Sequence, residues 1–325
     1  MRKKLLYCLI VSLLFAKDNS GDIFSTISKT LDTNATDTLK LQSIQSYLKD
    51  IKFDDNVDKS KYKFNVMGHH ANYMLFGSYS TTSLTEKSYI DAYNRDRSKE
   101  YTRDTNEAQF QLSIKVPLYA NFLNTSADLF VAYTQNSYWQ VYNTDHSSPF
   151  RETNYMPELF LEWHPQVSFG SNKLIKSRFS FIHQSNGQDV GKSRSWNRAE
   201  ASFLFNNNKL YYGANIWFRE KEELKLSATA TKGDDNPNLE KYIGKQKYFL
   251  RYNFSNDIDI TLAHQNQILH YDKNYGNTNL DIYFPSVNKN LKFYLKAFYG
   301  YGESLIDYDQ KLNRVSFGIL ISDWL

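Results

Sequence analysis

The segment LKFYLKAFY, residues 291–299, alternates between two kinds of side chain. Its odd positions are four apolar residues followed by a tyrosine, namely Leu291, Phe293, Leu295, Ala297 and Tyr299. The even positions are bulky, and two of the four are cationic, namely Lys292, Tyr294, Lys296 and Phe298. A period of two is the pattern of a β-strand with one apolar and one polar face. Similar alternation recurs at 210–218, 248–254 and 315–321. The segment therefore predicts a repeated β architecture.

The length of these segments decides between two β architectures. Strands in sandwiches are about 5–6 residues long. The segments here extend over roughly 9–12 residues, as a tilted strand needs to cross a bilayer. They lie at 64–80, 104–119, 126–141, 153–163, 174–185, 195–206, 209–219, 242–255, 258–268, 277–285, 290–301 and 312–323. Twelve is an even number, as in closed bacterial barrels. The sequence predicts an all-β fold, a twelve-stranded antiparallel transmembrane β-barrel with a short N-terminal extension.

The N-terminus predicts export. Three cations at positions 2–4 precede an apolar run at 5–15, which is typical of a signal peptide and too short for a membrane-spanning helix. We expect cleavage after Ala16, which also removes Cys8. The predicted organisation is a signal peptide at 1–16, a polar extension with some helical spacing at 17–62, and the barrel domain at 63–325. Polar links at 83–103 and 220–240 predict long outer loops.

Composition narrows the partners and the location. Without the three cations of the signal peptide, 36 of the 39 Lys and Arg remain, against 35 Asp and Glu, so the net charge is close to zero. The sequence therefore gives no argument for nucleic acid as a partner. Phe, Trp and Tyr make up 16% of the chain. An exported, aromatic-rich chain with long alternating strands is expected in the bacterial outer membrane.

Polar residues interrupt the apolar face of two neighbouring predicted strands. In the strand at 174–185, Phe179 and Phe181 form the apolar face, which places His183 and Ser185 on the side that faces lipid. In the next predicted strand the apolar residues occupy the odd positions from 199 to 205. Extending that alternation toward the start of the strand places Asn197 on the same outward face. Histidine and serine two residues apart can form a base and a nucleophile, and an amide beside the histidine can fix its tautomer. The pattern predicts a catalytic group on the outer wall.

Less specific interpretations of the same residues remain. A His-x-Ser spacing also occurs at His146–Ser148, and a histidine is tolerated in the aromatic girdle at a membrane rim. His69 and His70 are adjacent in a predicted strand, so they are expected on opposite faces and predict no joint metal site. A passive outer-membrane porin or channel is the alternative function. Bulky inward residues argue against an open pore, namely Tyr211, Trp217, Phe249 and Tyr294.

From about residue 64 to its end, the chain resembles the outer-membrane phospholipase A family of Gram-negative bacteria. The motifs that carry the resemblance are YTQNSYWQ (133–140), SSPFRETNYMP (147–157), HQSNGQ (183–188), SRSWNR (193–198), DDNPNLEKYIG (234–244) and YGYGESLIDYDQ (299–310). The resemblance implies a twelve-stranded barrel that hydrolyses acyl esters of phospholipids and lysophospholipids, with phospholipase A1 and A2 activities. It also implies that Ser185 is the nucleophile, His183 the general base and Asn197 the residue that orients the base.

The resemblance further implies a calcium-dependent homodimer. One Ca²⁺ per active site would be shared across the dimer interface, held by the Ser193 side chain, the main-chain carbonyl of Gln188, and Ser147 of the partner subunit. Position 188 is commonly arginine in the family. Neutral oxygen ligands suit Ca²⁺, and without a carboxylate in this set we expect weak to moderate binding.

Overall fold

The computed structural model describes residues 65–81, 103–165, 167–227, 230–255, 258–266, 275–288 and 290–324. The strands are β1 Met67–Gly68, β2 Asn72–Ser80, β3 Asn106–Tyr119, β4 Asp128–Trp139, β5 Phe150–Trp163, β6 Val167–Phe169, β7 Asn172–Ser185, β8 Ser195–Asn207, β9 Leu210–Arg219, β10 Gln246–Ser255, β11 Ile258–Asn266, β12 Asn277–Pro285, β13 Lys292–Gly300 and β14 Leu312–Ser322. Helix α1 is Leu239–Ile243, and short 3-10 helices lie at Phe122–Asn124 and Thr144–His146. No helix in the described residues is long and apolar enough to cross a membrane.

The strands form one closed antiparallel wall. Each long strand pairs with its neighbours along the chain, β14 pairs with β2, and the pairing of β3 with β4 completes the ring. β1 and β2 both pair with β3, while β5 and β6 both pair with β7, so each of these couples is one interrupted strand. The result is a twelve-stranded barrel, and the fold prediction is confirmed.

The two faces of the wall have opposite chemistry. On β14, Val315, Phe317 and Ile321 point outward and are exposed, whereas Arg314 and Ser316 point inward and are buried. A globular domain in water would show the reverse arrangement. An apolar outer surface around a polar interior is the pattern of a barrel whose solvent on the outside is lipid.

Ion pairs cross the interior of the barrel. Nζ of Lys115 and the Arg178 guanidinium both contact the Glu162 carboxylate, at 3.1 and 2.9 Å. Further along the barrel, Arg151 contacts Glu107 at 2.8 Å. Burying a charge is costly unless it is paired, so these networks explain how charged side chains fill a barrel interior.

A cavity of about 440 Å³ remains in the interior. Aromatic residues predicted to point inward line it, namely Trp217, Phe249 and Tyr294. Those three positions are confirmed as interior.

One predicted strand began too early. The alternation predicts a strand from 242, but residues Leu239–Ile243 form α1 and the strand begins at Gln246. Leu239 and Ile243 are one helical turn apart and are buried in the same cluster, which favours the helix at this place. Gly244 ends the helix with φ 69°.

The prediction that His69 and His70 point apart is wrong. The strand is broken between β1 and β2, so the two-residue period does not apply there. The two imidazole rings lie together, with centroids 4.1 Å apart.

The predicted signal peptide, the extension at 17–62 and the loop at 83–102 lie outside the described residues.

Candidate active site

Strands β7 and β8 form the hairpin that carries the predicted catalytic residues. In the register of this pair His183 lies directly opposite Asn197, and Ser185 lies opposite Ser195. The connection between the strands, residues 186–194, is at the end of the barrel where the longer links are. The two neighbouring predicted strands form a hairpin, and this hairpin places the histidine beside the asparagine.

Alternation along the hairpin separates its inner and outer residues. Gln184 and Arg198 line the interior cavity. His183 is exposed on the opposite face, next to Phe181, which is 46% exposed. The three predicted residues therefore share the outer face, as their parity predicts.

His183 and Asn197 are joined by a hydrogen bond between Nδ1 and the amide Oδ1, 2.7 Å long. Because an amide oxygen can only accept, Nδ1 carries the proton, and in the neutral form of the ring Nε2 then keeps its lone pair. A neutral histidine held in this tautomer can accept a proton at Nε2. Ser185 ends β7 two residues further along the same face, about 6.5–7 Å away between Cα atoms, a separation that the two side chains can bridge.

Asn186, which sequence reasoning missed, organises the loop after Ser185. Its side chain is buried, and its Oδ1 accepts from the main-chain amides of Arg194 and Gln188 at 2.8 and 3.4 Å. Its Nδ2 donates to the carbonyl of Lys192 at 3.0 Å and to Glu152 Oε2 at 3.4 Å. One side chain thus ties both ends of the loop to the barrel wall. In the sequence an asparagine before a glycine indicates only a turn.

The three predicted calcium ligands are divided between two links. Gln188 and Ser193 are both in the β7–β8 loop. Ser147 is exposed at the end of the 3-10 helix between β4 and β5, with φ 58°. Within one chain, Ser147 therefore belongs to a separate element from the other two.

A carboxylate that the sequence analysis did not select lies at Ser193. The Ser193 hydroxyl donates to Asp235 Oδ2 at 2.8 Å, and Lys225 contacts the other oxygen of that carboxylate. Asp235 belongs to the link between β9 and β10, whose distance along the chain hides the contact from sequence patterns. The oxygen set around Ser193 therefore includes an acidic group.

An apolar cluster closes the barrel interior behind this hairpin. Trp196, which neighbours Asn197 in sequence, packs with Trp217, Leu239 and Tyr308. Burial raises the pKa of Tyr308 to about 12, so its phenol stays neutral at physiological pH. The catalytic candidates thus have an apolar support on their inner side.

Comparison with known proteins identifies the relatives of this chain. The family model described as Phospholipase A1 matches residues 50–321. The phospholipase A1 of Proteus vulgaris is 35% identical over 260 residues, which is 80% of this chain and 82% of the relative.

Solved structures agree with the sequence match. The outer membrane phospholipase A of Escherichia coli superposes with a TM-score of 0.69 at 30% identity, over 81% of this chain and all of the other. A second structure of that protein carries an active-site mutation of asparagine to alanine, with a TM-score of 0.69 at 28% identity over 87% and 98% of the two chains. The outer membrane phospholipase of Salmonella typhi, a dimer with bound calcium, gives 0.69 at 30% identity over 81% and 94%. The chain therefore belongs to the phospholipase A1 family of outer-membrane β-barrel enzymes, which are carboxylic ester hydrolases.

Proposed function

We propose that this enzyme is a calcium-dependent phospholipase in which Ser185, His183 and Asn197 form a catalytic triad on the lipid-facing wall. Its substrates are the acyl esters of phospholipids and lysophospholipids, cleaved with A1 and A2 specificity, and its active form is a homodimer. The observation that carries the proposal is the 2.7 Å hydrogen bond between His183 and Asn197 on the outer face. A polar pair on a largely apolar wall is costly in lipid, which supports a functional role for it.

The geometry supports a two-step acyl transfer. Nε2 of His183 takes the proton of the Ser185 hydroxyl while Oγ forms a bond to the acyl carbonyl carbon. The same imidazolium then gives that proton to the departing glycerol oxygen, which leaves an acyl-enzyme. Water, deprotonated by His183, releases the fatty acid and restores the serine. Asn197 holds the ring and stabilises the imidazolium as it forms.

The β7–β8 loop and the link between β9 and β10 offer oxygen ligands of the kind that calcium binds. Ser193 and the Asp235 carboxylate present oxygen atoms at one place, 2.8 Å apart, and Ca²⁺ is a hard cation that takes oxygen ligands. Bound there with the Gln188 carbonyl, calcium would supply positive charge to stabilise the oxyanion that forms during acyl transfer. The Asp235 carboxylate, which Lys225 also contacts, would add a charged oxygen to the three neutral ligands.

The placement of Ser147 supports activation by dimerisation. It is exposed on a link other than the one that carries Gln188 and Ser193, as expected of a residue that serves the partner's site. The Salmonella typhi relative is a dimer with bound calcium, which supports a calcium-binding dimer here. In this proposal the ion completes its ligand set only between two chains.

Replacement of Ser185 or His183 by alanine tests the triad. We expect fatty acid release from detergent-dispersed phospholipid to fall by about 10⁴-fold or more, since loss of a nucleophile or its base removes most of the rate enhancement. Heat-modifiable migration on gels should be kept, which shows that the barrel folds.

The chain offers a matched control for this experiment. His264 is also exposed on the outer wall, and its Nδ1 lies 2.9 Å from Oγ1 of Thr278 across the strand pair. His264→Ala should retain full activity, because its neighbouring groups include no proposed nucleophile. Hydrolysis retained in Ser185→Ala, or lost equally in His264→Ala, would contradict the proposed triad.

A further inference from the structure

The break between β1 and β2 gathers two histidines and a glutamate inside the barrel. One nitrogen from each of His69 and His70 and one carboxylate oxygen of Glu158 lie within 4.8 Å of one another. Within this set Nε2 of His69 is 2.9 Å from Oε2 of Glu158. Tetrahedral Zn²⁺, with bonds of about 2.0–2.1 Å, holds its ligand atoms roughly 3.3 Å apart. The observed distances span that value, so small side-chain rotations would bring all three groups onto one ion.

The backbone under the two histidines is fixed. The amide of His69 donates to the carbonyl of Ser113 at 3.3 Å, and the amide of His70 donates to the hydroxyl of the same serine at 3.0 Å. The His69 ring also stacks on Phe160, with centroids 5.1 Å apart. The backbone of both residues and the ring of His69 are therefore held in place by groups that do not belong to the cluster.

The glutamate is oriented by an outer partner. The Ser180 hydroxyl donates to Oε1 of Glu158 at 2.6 Å, which leaves Oε2 directed at His69. Metal sites commonly orient a ligand carboxylate in this way, through a hydrogen bond to its second oxygen.

The cluster is buried but borders the barrel interior. His69 is only 4% exposed. His70 and Glu158 line the interior cavity of about 440 Å³, which gives an ion and its water a route to the cluster.

The ligand atoms of the cluster favour one type of metal ion. Lys115 and Arg178 are paired with Glu162, at 3.1 and 2.9 Å, and Lys176 also lines the cavity. Glu158 is therefore the one carboxylate of the set, and neutral imidazoles supply the other two ligands. Few oxygens and two nitrogens disfavour Ca²⁺ and Mg²⁺ and suit borderline transition metals.

We propose that His69, His70 and Glu158 form a binding site for a divalent transition-metal ion, with Zn²⁺ as the best match and water as the fourth ligand. The ion would link the segment between β1 and β2 to β5 across the barrel interior. The site is separate from the proposed triad, which is on the outer face of the wall.

Titration with Zn²⁺ of the refolded, untagged protein tests this site. The experiment is done in excess Ca²⁺, so that sites for hard cations are already filled. We expect one Zn²⁺ per chain in calorimetry, and the absorption bands of tetrahedral Co²⁺ when cobalt replaces zinc. His70→Gln or Glu158→Gln should weaken zinc affinity by more than about 100-fold, and Ser180→Ala by about 10- to 100-fold as expected for an outer partner.

His164→Gln is the matched control. Nε2 of His164 lies 3.3 Å from Oε1 of Glu162, so this residue is also a histidine beside a carboxylate, but without a second histidine in the cluster. Zinc affinity should be unchanged in this variant. Absence of binding to the unmodified protein overturns the proposal, and so does binding that persists in both His70→Gln and Glu158→Gln. Heat-modifiable migration confirms that each variant forms its barrel.

Discussion

At the scale of single residues, the hydrogen bond between His183 and Asn197 explains why an amide rather than a carboxylate orients the histidine. The pair is exposed on the apolar face of the wall, where an unpaired carboxylate would be costly to desolvate. An amide oxygen accepts the same proton from Nδ1 without a net charge. The presence of asparagine is thus consistent with the position of the proposed triad on the outer face.

Asn197→Ala should impair catalysis less than loss of the base itself. The asparagine transfers no proton, so we expect a loss of kcat about 100-fold milder than that of His183→Ala. KM should change little, since the substrate-binding wall is intact. Steady-state kinetics on detergent-dispersed phospholipid measure both constants. Thr278→Ala removes the corresponding oxygen beside His264 and should leave kcat unchanged. Equal losses in Asn197→Ala and His183→Ala would refute an orienting role.

The sequence predicts these three residues because strand parity depends only on local spacing. His183 and Asn197 fall on the apolar parity of consecutive strands, and the hairpin brings them together. Asp235 could not be found in this way, because it reaches Ser193 from a different hairpin. Contacts between links depend on how the loops fold, which no periodicity describes.

At the scale of elements, the β7–β8 loop is held by one buried side chain. Asn186 bonds to main-chain groups near both ends of the loop and to Glu152 of β5. The loop carries two of the proposed calcium ligands, and one of them acts through its backbone. Its conformation therefore determines the calcium site more than the identity of the side chain at position 188.

Asn186→Ala should raise the calcium concentration needed for activity. Loss of the amide frees the loop, so calcium must order it on binding, and we expect the half-activating concentration to rise by about 10-fold or more, the cost of losing one or two hydrogen bonds. Activity at saturating calcium should largely return. The calcium dependence of fatty acid release measures this effect. Asn207→Ala, at the end of β8 far from this loop, is the control, since its amide bonds to Asn172 Oδ1. An unchanged calcium dependence in Asn186→Ala would contradict the positioning role.

Two structural elements could not be predicted from the sequence, for the same physical reason. The break at residues 69–71 interrupts a strand, the helix α1 precedes one, and in both places tertiary contacts decide the local structure. His69 and His70 are held by Ser113 of β3, and Leu239 is buried among aromatic residues. Alternation identifies long strands well because a barrel wall imposes it, but it carries no information about the places where the wall is interrupted.

At the scale of the whole molecule, the proposed mechanism joins activity to association. A ligand set divided between Ser193 of one chain and Ser147 of another is complete only in a dimer. In this proposal, an enzyme that degrades membrane lipid is inactive while its chains are apart.

Chelation of calcium should therefore stop turnover and weaken the dimer together. Addition of a calcium chelator to the detergent-solubilised enzyme should abolish fatty acid release and shift the protein toward monomers in sedimentation. Excess Ca²⁺ should restore both, and Mg²⁺ should not, because its demand for strict octahedral geometry suits shared, irregular ligands poorly. Full activity in excess chelator would refute the calcium requirement, and activity of a species that sediments as a monomer would refute the dimer requirement.

The register of the β7–β8 pair also determines which side chains of the hairpin face lipid. A slip of β8 by one residue against β7 would turn Arg198 toward lipid and Asn197 toward the lumen, away from His183. A guanidinium on the lipid face of a barrel costs about 2–4 kcal/mol near the bilayer midplane and about 0–1 kcal/mol near the interfaces. Lipid thus disfavours the misaligned hairpin, and the same slip would remove the hydrogen bond between His183 and Asn197.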